Sequence, residues 1–369
     1  MAEQEGLTNT VLAERHAGLG ARMGPFGGYW MPIQYEGILK EHAAARESIA
    51  LFDTCHMGEI HVTGDTAEED LERLVSCAVG SLPAGRCRYG LLCNESGGVL
   101  DDLLVYRFGA ADFMLVVNAG TRQRDLDWVV SQCSTETVVE DRSFETAKID
   151  VQGPGSPRLL ESLMDWSLAE LRYFGFMRNR FRGHDVLLSR TGYTGEIGFE
   201  LYCEAGLGPE FWDACIEGGA TPAGLGARDT LRLEMGMPLY GHELDSDINA
   251  ADSGMTWAIA DKEFIGSAVI RAAAGDRRLA GLLLDGRRAA RHGDAVVDCG
   301  GREIGRVTSG SFAPSLGQAI AMAYVDAAFQ AAGTAVRIRT ARSELEGTVC
   351  ARPFYRGGTA RKQMREFLG

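Results

Sequence analysis

The pattern of apolar residues changes near residue 276, and this change restricts the chain to a fold with at least two different parts. Up to about residue 270, stretches with helical spacing alternate with strand-like stretches. After about residue 276, short strand-like runs are separated by Gly, Asp, Ser and Pro: LAGLLL, AVV, EIGRVTSG, AIAMAYV, AVRIRT and EGTVCARPF. Short strands at this spacing are typical of an antiparallel β-barrel or sandwich. We therefore expect a mixed region of helices and strands followed by an all-β domain.

The composition of the 369 residues disfavours several classes of protein. Apolar residues make up 45% and charged residues 24% of the chain, as in a globular protein with a sizeable core. No apolar run approaches the roughly 18 residues that cross a bilayer. The 37 Lys and Arg against 51 Asp and Glu give a net charge of −14, which disfavours nucleic acid as a partner. We expect a small-molecule or protein partner and no membrane.

The nine cysteines are scattered singly, without a Cys-x-x-Cys pair or a Cys/His cluster at zinc spacing. We therefore expect no structural metal site and no iron–sulfur site. The N-terminal segment MAEQEGLTNTVLAERH contains acidic residues and no hydrophobic stretch, so it does not resemble a targeting signal. A reducing, cytoplasmic compartment is the expectation.

Local signals predict two helices and one hairpin. Thr66 and Glu69 have the spacing of a capping box, and Ser156 before Pro157 has the pattern of an N-cap followed by a first-turn proline, each with an apolar stripe behind it. The segments VLDDLLVYRF (99–108) and FMLVVNA (113–119) are rich in branched and aromatic residues. The four residues between them predict a β-hairpin with a short loop.

Two adjacent carboxylates, Asp101 and Asp102, lie in the first strand of this hairpin, where charged residues are uncommon. Neighbouring strand residues point to opposite faces, so these two carboxylates cannot share a proton with each other. At least one of them then lies among apolar side chains, which indicates hydrogen-bonded partners or a ligand. The alternative is that a turn amide holds one Asp while the other is in solvent.

Glu200 follows the glycine-rich segment RTGYTGEIG, in a strand whose apolar residues Ile197, Phe199 and Leu201 alternate with it. It therefore faces away from the apolar side. One interpretation is an ordinary solvent-exposed glutamate. The other is that the glycines let a planar ligand approach the backbone while the two carboxylate oxygens accept a pair of N–H donors.

Two further segments give weaker signals. PAGLGARDTLRLEMGM (222–237) runs from a glycine-rich turn into a helix with Arg228 in its first turn, an arrangement that can hold an anion. A plain loop-to-helix junction fits the same pattern, and the nucleotide-binding glycine spacings are absent. His56 in DTCHMGEI is more typical of a packed strand histidine than of a catalytic base.

Several segments, in order along nearly the whole chain, together resemble the aminomethyltransferase family, the T-protein of the glycine cleavage system. They are ARMGPFGGYWMPIQYEGILKEH, LFDTCHMGEI, YGLLCNESGGVLDDLLVY, LVVNAG, VQGPGS, SRTGYTGEIGFEL, GLGARDTLRLEMGMPLYG, FIG, VTSGSFAPSLG, IAMAYV and PFYRGG.

The resemblance implies an α+β fold, a three-domain cloverleaf around a central channel that binds tetrahydrofolate. Two interleaved α+β domains would occupy residues 1–275, and a C-terminal antiparallel β-barrel domain residues 276–369. It also implies a reaction in which an aminomethyl group on the dihydrolipoyl arm of a carrier protein, the H-protein, passes to folate N5. Ammonia leaves and 5,10-methylenetetrahydrofolate forms.

The resemblance also implies the roles of individual side chains. It places the catalytic carboxylate on Asp102, where it would stabilise the positive charge that develops near N5 and N10. The pterin edge offers two parallel N–H donors that a carboxylate such as Glu200 can accept. The implied folate-binding residues are Glu200, Arg228, Tyr193, Tyr89, Asn118 and Arg361.

The sequence departs from the family pattern at three places that bear on the one-carbon donor: Cys55, Tyr29-Trp30 and the segment 247–257. These departures favour, as an alternative, a folate-dependent demethylase of a methylated amine, sulfonium compound or aryl ether. A second alternative is a non-catalytic folate-binding module. The simultaneous presence of Asp102, Glu200 and Arg228 argues against that module.

Overall fold

The computed structural model describes residues 6–273 and 275–368, which form three β-sheets, a closed β-barrel and surrounding helices. The helices are α1 (Ala13–Gly18), α2 (Ile38–Glu47), α3 (Ala67–Leu74), α4 (Arg122–Gln132), α5 (Ser156–Leu163), α6 (Gly208–Glu217), α7 (Leu225–Glu234), α8 (Ser267–Ala272) and α9 (Arg365–Leu368). This mixture of sheets and helices confirms the α+β class.

The strands of the first part are β1 (Thr8–Asn9), β2 (Arg22–Phe26), β3 (Tyr29–Gln34), β4 (Ala50–Asp53), β5 (Gly58–Thr63), β6 (Arg86–Cys93), β7 (Val99–Arg107), β8 (Asp112–Val117), β9 (Val138–Asp141), β10 (Thr146–Gln152), β11 (Phe176–Phe181), β12 (His184–Ser189), β13 (Gly198–Glu204) and β14 (Thr221–Pro222). Those of the second part are β15 (Arg277–Leu284), β16 (Ala295–Val297), β17 (Glu303–Ala313), β18 (Gln318–Asp326), β19 (Ala335–Arg339) and β20 (Glu344–Cys350).

The chain passes from one of the two larger sheets of the first part to the other and then returns. A six-stranded sheet has the order β11-β12-β13-β10-β4-β14, and a five-stranded sheet has the order β6-β7-β8-β5-β9. The chain enters the six-stranded sheet at β4, leaves it to build the whole five-stranded sheet, and returns at β10. Residues far apart in sequence therefore meet where the two sheets face each other.

The predicted hairpin is present as β7 and β8, which pair antiparallel up to Arg107 and Phe113 and are joined by residues 108–111. Successive side chains of β7 point to opposite faces of the sheet, and the two faces have different surroundings. Leu103 and Val105 pack in the apolar core of the five-stranded sheet and helix α3, whereas Val99, beyond a register shift in the β6–β7 pairing, packs in a separate cluster with Leu91 and Leu244. Asp101 belongs to the same face of β7 as Leu103, and Asp102 to the opposite one, as the period of two requires.

Both predicted helices are present, although their caps differ from the prediction. Helix α3 begins after Thr66, but the capping-box bond is absent because the Thr66 hydroxyl contacts Ser134 and Thr137 instead. Helix α5 begins at Ser156, so Gly155 occupies the N-cap position that the sequence assigned to the serine. The cap of α3 differs because the Thr66 hydroxyl bonds to two residues that are distant in sequence.

The second part confirms the predicted antiparallel barrel, which closes in the order β15-β18-β17-β16-β19-β20. Small and branched side chains fill its interior, among them Leu282, Val307 and Ala321. The other face of β18 is buried as well, because Met322 packs against Leu233 of α7. That contact fixes the barrel against the first part of the molecule.

After β20 the chain leaves the barrel and packs on the six-stranded sheet. Arg190 Nη2 donates to the carbonyl oxygen of Ala360 at 3.0 Å, and the Thr359 hydroxyl accepts from the Ile197 amide at 2.9 Å. We propose the domain boundary between residues 275 and 276, just before β15 begins. Among the helices of the described ranges, none has the length and apolarity needed to cross a membrane.

The N-terminus of α7 is occupied by a carboxylate of the protein itself. Glu41 of α2 is fully buried, and its oxygens accept from the backbone amides of Tyr35, Gly37 and Gly224 at 2.7 to 3.0 Å. The loop-to-helix junction is therefore not an open anion site, and Glu41 instead fixes the helix that carries Arg228.

Replacing Glu41 by Ala should leave three backbone amides without their acceptor and lower the free energy of unfolding by about 3 kcal/mol. Glu36→Ala provides the matched control, because Glu36 is exposed and contacts only Lys40 at 3.4 Å among the contacts of the described residues. It should change stability by less than about 0.5 kcal/mol. Urea unfolding of the two variants checks this, and equal stability would contradict the capping role.

Candidate functional site

One large cavity, of about 2070 Å³, lies where the two sheets and the barrel meet. Strands β6, β7, β8 and β13, helix α7, and both β15 and the end of β20 contribute to its wall. All of the residues to which the sequence assigned a role line this cavity. They are Tyr89, Asp102, Asn118, Tyr193, Glu200, Arg228 and Arg361.

Asp102 stands on the β7 wall of the cavity with a donor on each carboxylate oxygen. The Tyr89 hydroxyl donates to Oδ2 and Asn118 Nδ2 to Oδ1, each at 3.0 Å. Burial and the neighbouring Asp101 raise the pKa of Asp102 to about 7, against the opposing effect of the two hydrogen bonds. Asp102 therefore changes charge near neutral pH.

Asp101 is fully buried and does not line the cavity. Its oxygens accept from the Asn118 amide at 2.9 Å and from Asn118 Nδ2 at 2.8 Å. The expectation that one Asp lies among apolar side chains with hydrogen-bonded partners is thus met by Asp101. Asn118 contacts both carboxylates, a link that strand alternation alone does not reveal.

Glu200 belongs to a buried row of charges with alternating sign. Lys148 Nζ lies 2.6 Å from Glu200 Oε1 and 3.0 Å from Asp150 Oδ1, and Arg228 Nη1 donates to Asp150 Oδ2 at 2.7 Å. The other oxygen of Glu200 accepts from the Thr191 hydroxyl. The exposed-strand interpretation of Glu200 is therefore wrong, because the residue is 5% exposed and lies in the cavity wall.

The alternation keeps the inner members of this row ionised. Burial would lower the pKa of Lys148, but Asp150 and Glu200 outweigh it and raise that pKa above its ordinary value. Burial would likewise raise the pKa of Asp150, but Lys148 and Arg228 hold it below the ordinary range. A buried row of this kind is favourable only while every member has its partner.

The remaining predicted residues lie around this row and at the rim. The Arg228 guanidinium lies 5.0 Å from the centre of the Tyr193 ring, and the Tyr193 hydroxyl donates to the carbonyl oxygen of Pro238. Arg361 is exposed and lies 5.7 Å from the ring centre of Tyr173. The structure therefore brings Arg228 and Tyr193 together, whereas Arg361 stands apart.

Two family models cover the chain in the same order as its two parts. The GCVT N-terminal domain matches residues 12–263, and the glycine cleavage T-protein C-terminal barrel domain matches residues 277–356. The chain belongs to the aminomethyltransferase family of glycine cleavage T-proteins. It is accordingly a transferase enzyme.

Individual relatives agree with this assignment over their full length. An aminomethyltransferase from Herpetosiphon aurantiacus is 41% identical over 356 residues, covering 95% of this chain and 99% of the relative. Another from Saccharopolyspora erythraea is 43% identical, covering 94% and 98%. The crystal structure of glycine cleavage system aminomethyltransferase T from Bartonella henselae matches with a TM-score of 0.90 at 33% identity, over 95% of this chain and 98% of that one.

Of the three departures from the family pattern, only the segment 247–257 reaches the cavity, through Gly254, Met255 and Trp257. Trp257 is 67% exposed, and its ring centre lies 5.1 Å from that of Tyr89. The Cys55 thiol instead contacts the carbonyl oxygen of Lys148 at 3.3 Å, and burial raises its pKa. Neither Cys55 nor the pair Tyr29-Trp30 lines the described cavity.

The sequence reasoning missed Lys148 and Asp150, the two charges that complete the row in this aminomethyltransferase. Both fall on the polar face of the strand TAKIDVQ, whose other face carries Ala147, Ile149 and Val151, so the alternation by itself favours charges in solvent and gives no signal for a buried row. His56 is packed as predicted, against the rings of Phe26 and Tyr29, but it lies in a turn rather than in a strand and also lines the cavity. Burial lowers the pKa of His56 to about 4, so its ring is neutral at pH 7.

We expect Lys148→Met to lower the free energy of unfolding by about 3 to 5 kcal/mol, because two buried carboxylates then face Arg228 alone. The double variant Lys148→Met/Asp150→Leu removes one charge of each sign and should recover part of that loss. Lys40→Met, at an exposed lysine, is the control. Urea unfolding measures all three, and a double variant less stable than Lys148→Met would contradict the charge-balance argument.

Proposed function

We propose that this enzyme is a tetrahydrofolate-dependent aminomethyltransferase of the glycine cleavage type. It takes an aminomethyl group from the lipoyl arm of a carrier protein, releases ammonia and forms 5,10-methylenetetrahydrofolate. The observation that carries this proposal is the convergence of Asp102, Glu200 and Arg228 on one cavity, together with the full-length similarity to aminomethyltransferases. The carrier protein and the folate are the partners, and no nucleic acid or membrane is involved.

The donor set of the cavity fits tetrahydrofolate. A pterin presents two parallel N–H donors, and the Glu200 carboxylate offers two oxygens whose orientation Lys148 and Thr191 fix. Each oxygen accepts one protein donor and retains a second lone-pair direction for a ligand. Tyr89, Asn118, Tyr193 and Arg228 line the rest of the proposed folate site. At the rim, Arg361 carries a positive charge that suits an acidic group of the folate tail.

Asp102 is the proposed catalytic residue. Bound tetrahydrofolate supplies the nitrogen that accepts the one-carbon unit. The Asp102 carboxylate, held by Tyr89 and Asn118, would stabilise the positive charge that develops as the carbon–sulfur and carbon–nitrogen bonds of the donor break and the carbon forms its bonds to N5 and N10 of the folate. A pKa near neutral pH also suits the ionised carboxylate to accept a proton from a folate nitrogen and pass it to the departing ammonia.

A reducing compartment such as the cytoplasm suits the protein, since all nine cysteines are free thiols.

A transfer assay with purified components tests the reaction. An aminomethyl-loaded lipoyl carrier protein and tetrahydrofolate should yield ammonia and 5,10-methylenetetrahydrofolate in equal amounts. Failure with this donor, combined with methyltetrahydrofolate formation from a methylated amine, sulfonium compound or aryl ether, would establish a demethylase instead. Folate binding without transfer from any of these donors would leave only a binding module.

Asp102→Asn keeps the shape of the side chain and removes its charge, so the transfer rate should fall by about 100-fold or more. In the wild type, kcat/KM should fall as pH drops below about 7, because the raised pKa of Asp102 places its protonation there. The variant should lose this dependence. Asp112→Asn, at the far end of the same hairpin, is the control. An unchanged rate in Asp102→Asn would exclude the catalytic role.

A further inference from the structure

Arg190 is a buried arginine whose hydrogen-bond acceptors are all uncharged. It directly follows β12, is 4% exposed and does not line the large cavity. In the part of the chain that the structure describes, its side-chain hydrogen bonds all end on backbone carbonyl oxygens, and its Nε has no partner. Burying a cation among neutral groups is unfavourable, so packing alone does not explain an arginine at this position.

One terminal nitrogen of Arg190 holds the turn that precedes β11. Arg190 Nη1 donates to the carbonyl oxygen of Leu171 at 3.0 Å. The backbone of Arg190 binds the same turn, because its amide donates to the Gly175 carbonyl oxygen at 2.8 Å and its carbonyl oxygen accepts from the Phe174 amide at 3.0 Å. Phe174 has a φ of 58°, which a phenylalanine rarely adopts, so this turn depends on such support. Tyr173 lies within the turn.

The other terminal nitrogen holds the C-terminal segment. Arg190 Nη2 donates to the carbonyl oxygen of Ala360 at 3.0 Å and also to that of Lys362. These two residues flank Arg361, so the backbone is fixed on both sides of it. The Ala360 amide adds a further bond, to the carbonyl oxygen of Gly195 at 3.1 Å.

Through these bonds Arg190 brings together two side chains that are distant in sequence. Tyr173 and Arg361 both line the cavity, and the Arg361 guanidinium lies 5.7 Å from the centre of the Tyr173 ring, within the range of a cation–π contact. Arg361 is exposed, so its charge is accessible to a ligand at the rim. A guanidinium at this place can bind a carboxylate through two parallel N–H donors.

We propose that Arg190 is a positioning residue for a rim subsite, formed by Tyr173 and Arg361, that binds the glutamyl carboxylates of the folate tail. Arg190 does not touch the ligand. It acts through the backbone carbonyl groups of the two segments that carry Tyr173 and Arg361. This inference rests on the proposed tetrahydrofolate-dependent function and adds the residues that recognise the tail.

Two ligands separate recognition of the tail from recognition of the pterin. Tetrahydrofolate carries the glutamyl tail and tetrahydropteroate lacks it, so the wild type should bind tetrahydrofolate more tightly. Arg361→Ala should weaken tetrahydrofolate binding by about tenfold and tetrahydropteroate binding by less than about twofold, because only the first ligand presents carboxylates to the subsite. Titration calorimetry measures both affinities without turnover.

Arg190→Lys tests the positioning role. Lysine keeps the positive charge but lacks the planar fork that reaches both segments at once. The variant should bind tetrahydrofolate about five- to tenfold more weakly and tetrahydropteroate less than about twofold more weakly, and the KM for tetrahydrofolate should change more than kcat. Arg190→Lys/Arg361→Ala should bind no more weakly than Arg361→Ala, since both changes remove one interaction.

Arg180→Met is the matched control, because Arg180 is an exposed arginine of the neighbouring strand β11 that pairs with Asp185 at 3.0 Å. It should retain the wild-type affinity for both ligands.

Each outcome of these measurements decides the inference. An Arg190→Lys variant that weakens both ligands equally, or that does not fold, would assign Arg190 to stability and overturn positioning. An Arg361→Ala variant that keeps the wild-type preference for tetrahydrofolate would overturn the subsite, whatever Arg190→Lys does. A wild type that binds both ligands equally would also overturn the subsite, whereas a wild type that binds neither would refute the proposed function itself.

Discussion

The site depends on the alternation of charge along Glu200, Lys148, Asp150 and Arg228. Each of these groups is largely withdrawn from water, a placement that costs several kcal/mol for an isolated charge. Alternating signs offset that cost only if β10, β13 and α7 keep their relative positions. The row therefore stabilises one wall of the cavity and simultaneously fixes the two residues proposed to bind folate.

The acidic residues of β7, on the opposite wall of the cavity, are stabilised in a different way. Asp101 and Asp102 both accept hydrogen bonds from Asn118, and Asp102 accepts a further one from Tyr89, so neutral donors hold both acids. The raised pKa of Asp102, about 7, places its change of charge near neutral pH. The cavity thus has one wall whose paired charges stay ionised, which suits binding. On the other wall Asp102 titrates near neutral pH, which suits catalysis.

Much of the fold could be predicted from local pattern. The barrel strands and the hairpin carry their own signals in branched residues and turns, and period-two geometry correctly separates Asp101 from Asp102. The capping of α3 could not be predicted, because Ser134 and Thr137 compete for the Thr66 hydroxyl from about 70 residues away. The N-terminus of α7 was likewise unpredictable, since the carboxylate that fills it comes from Glu41.

The residue pattern of a strand cannot decide which of two adjacent acids, Asp101 or Asp102, lines the cavity. Along β7 the two faces are equivalent, since each carries apolar residues and one carboxylate. The two faces differ in what packs on each side. The Asn118 backbone amide holds Asp101 on the buried side, while β6 brings the Tyr89 hydroxyl to Asp102 and leaves that face open to the cavity. Both partners belong to other elements, so the family resemblance could indicate Asp102 where the strand pattern could not. The interleaved path of the chain, which returns to the six-stranded sheet only after β9, then supplies the facing wall that makes Asp102 part of a site.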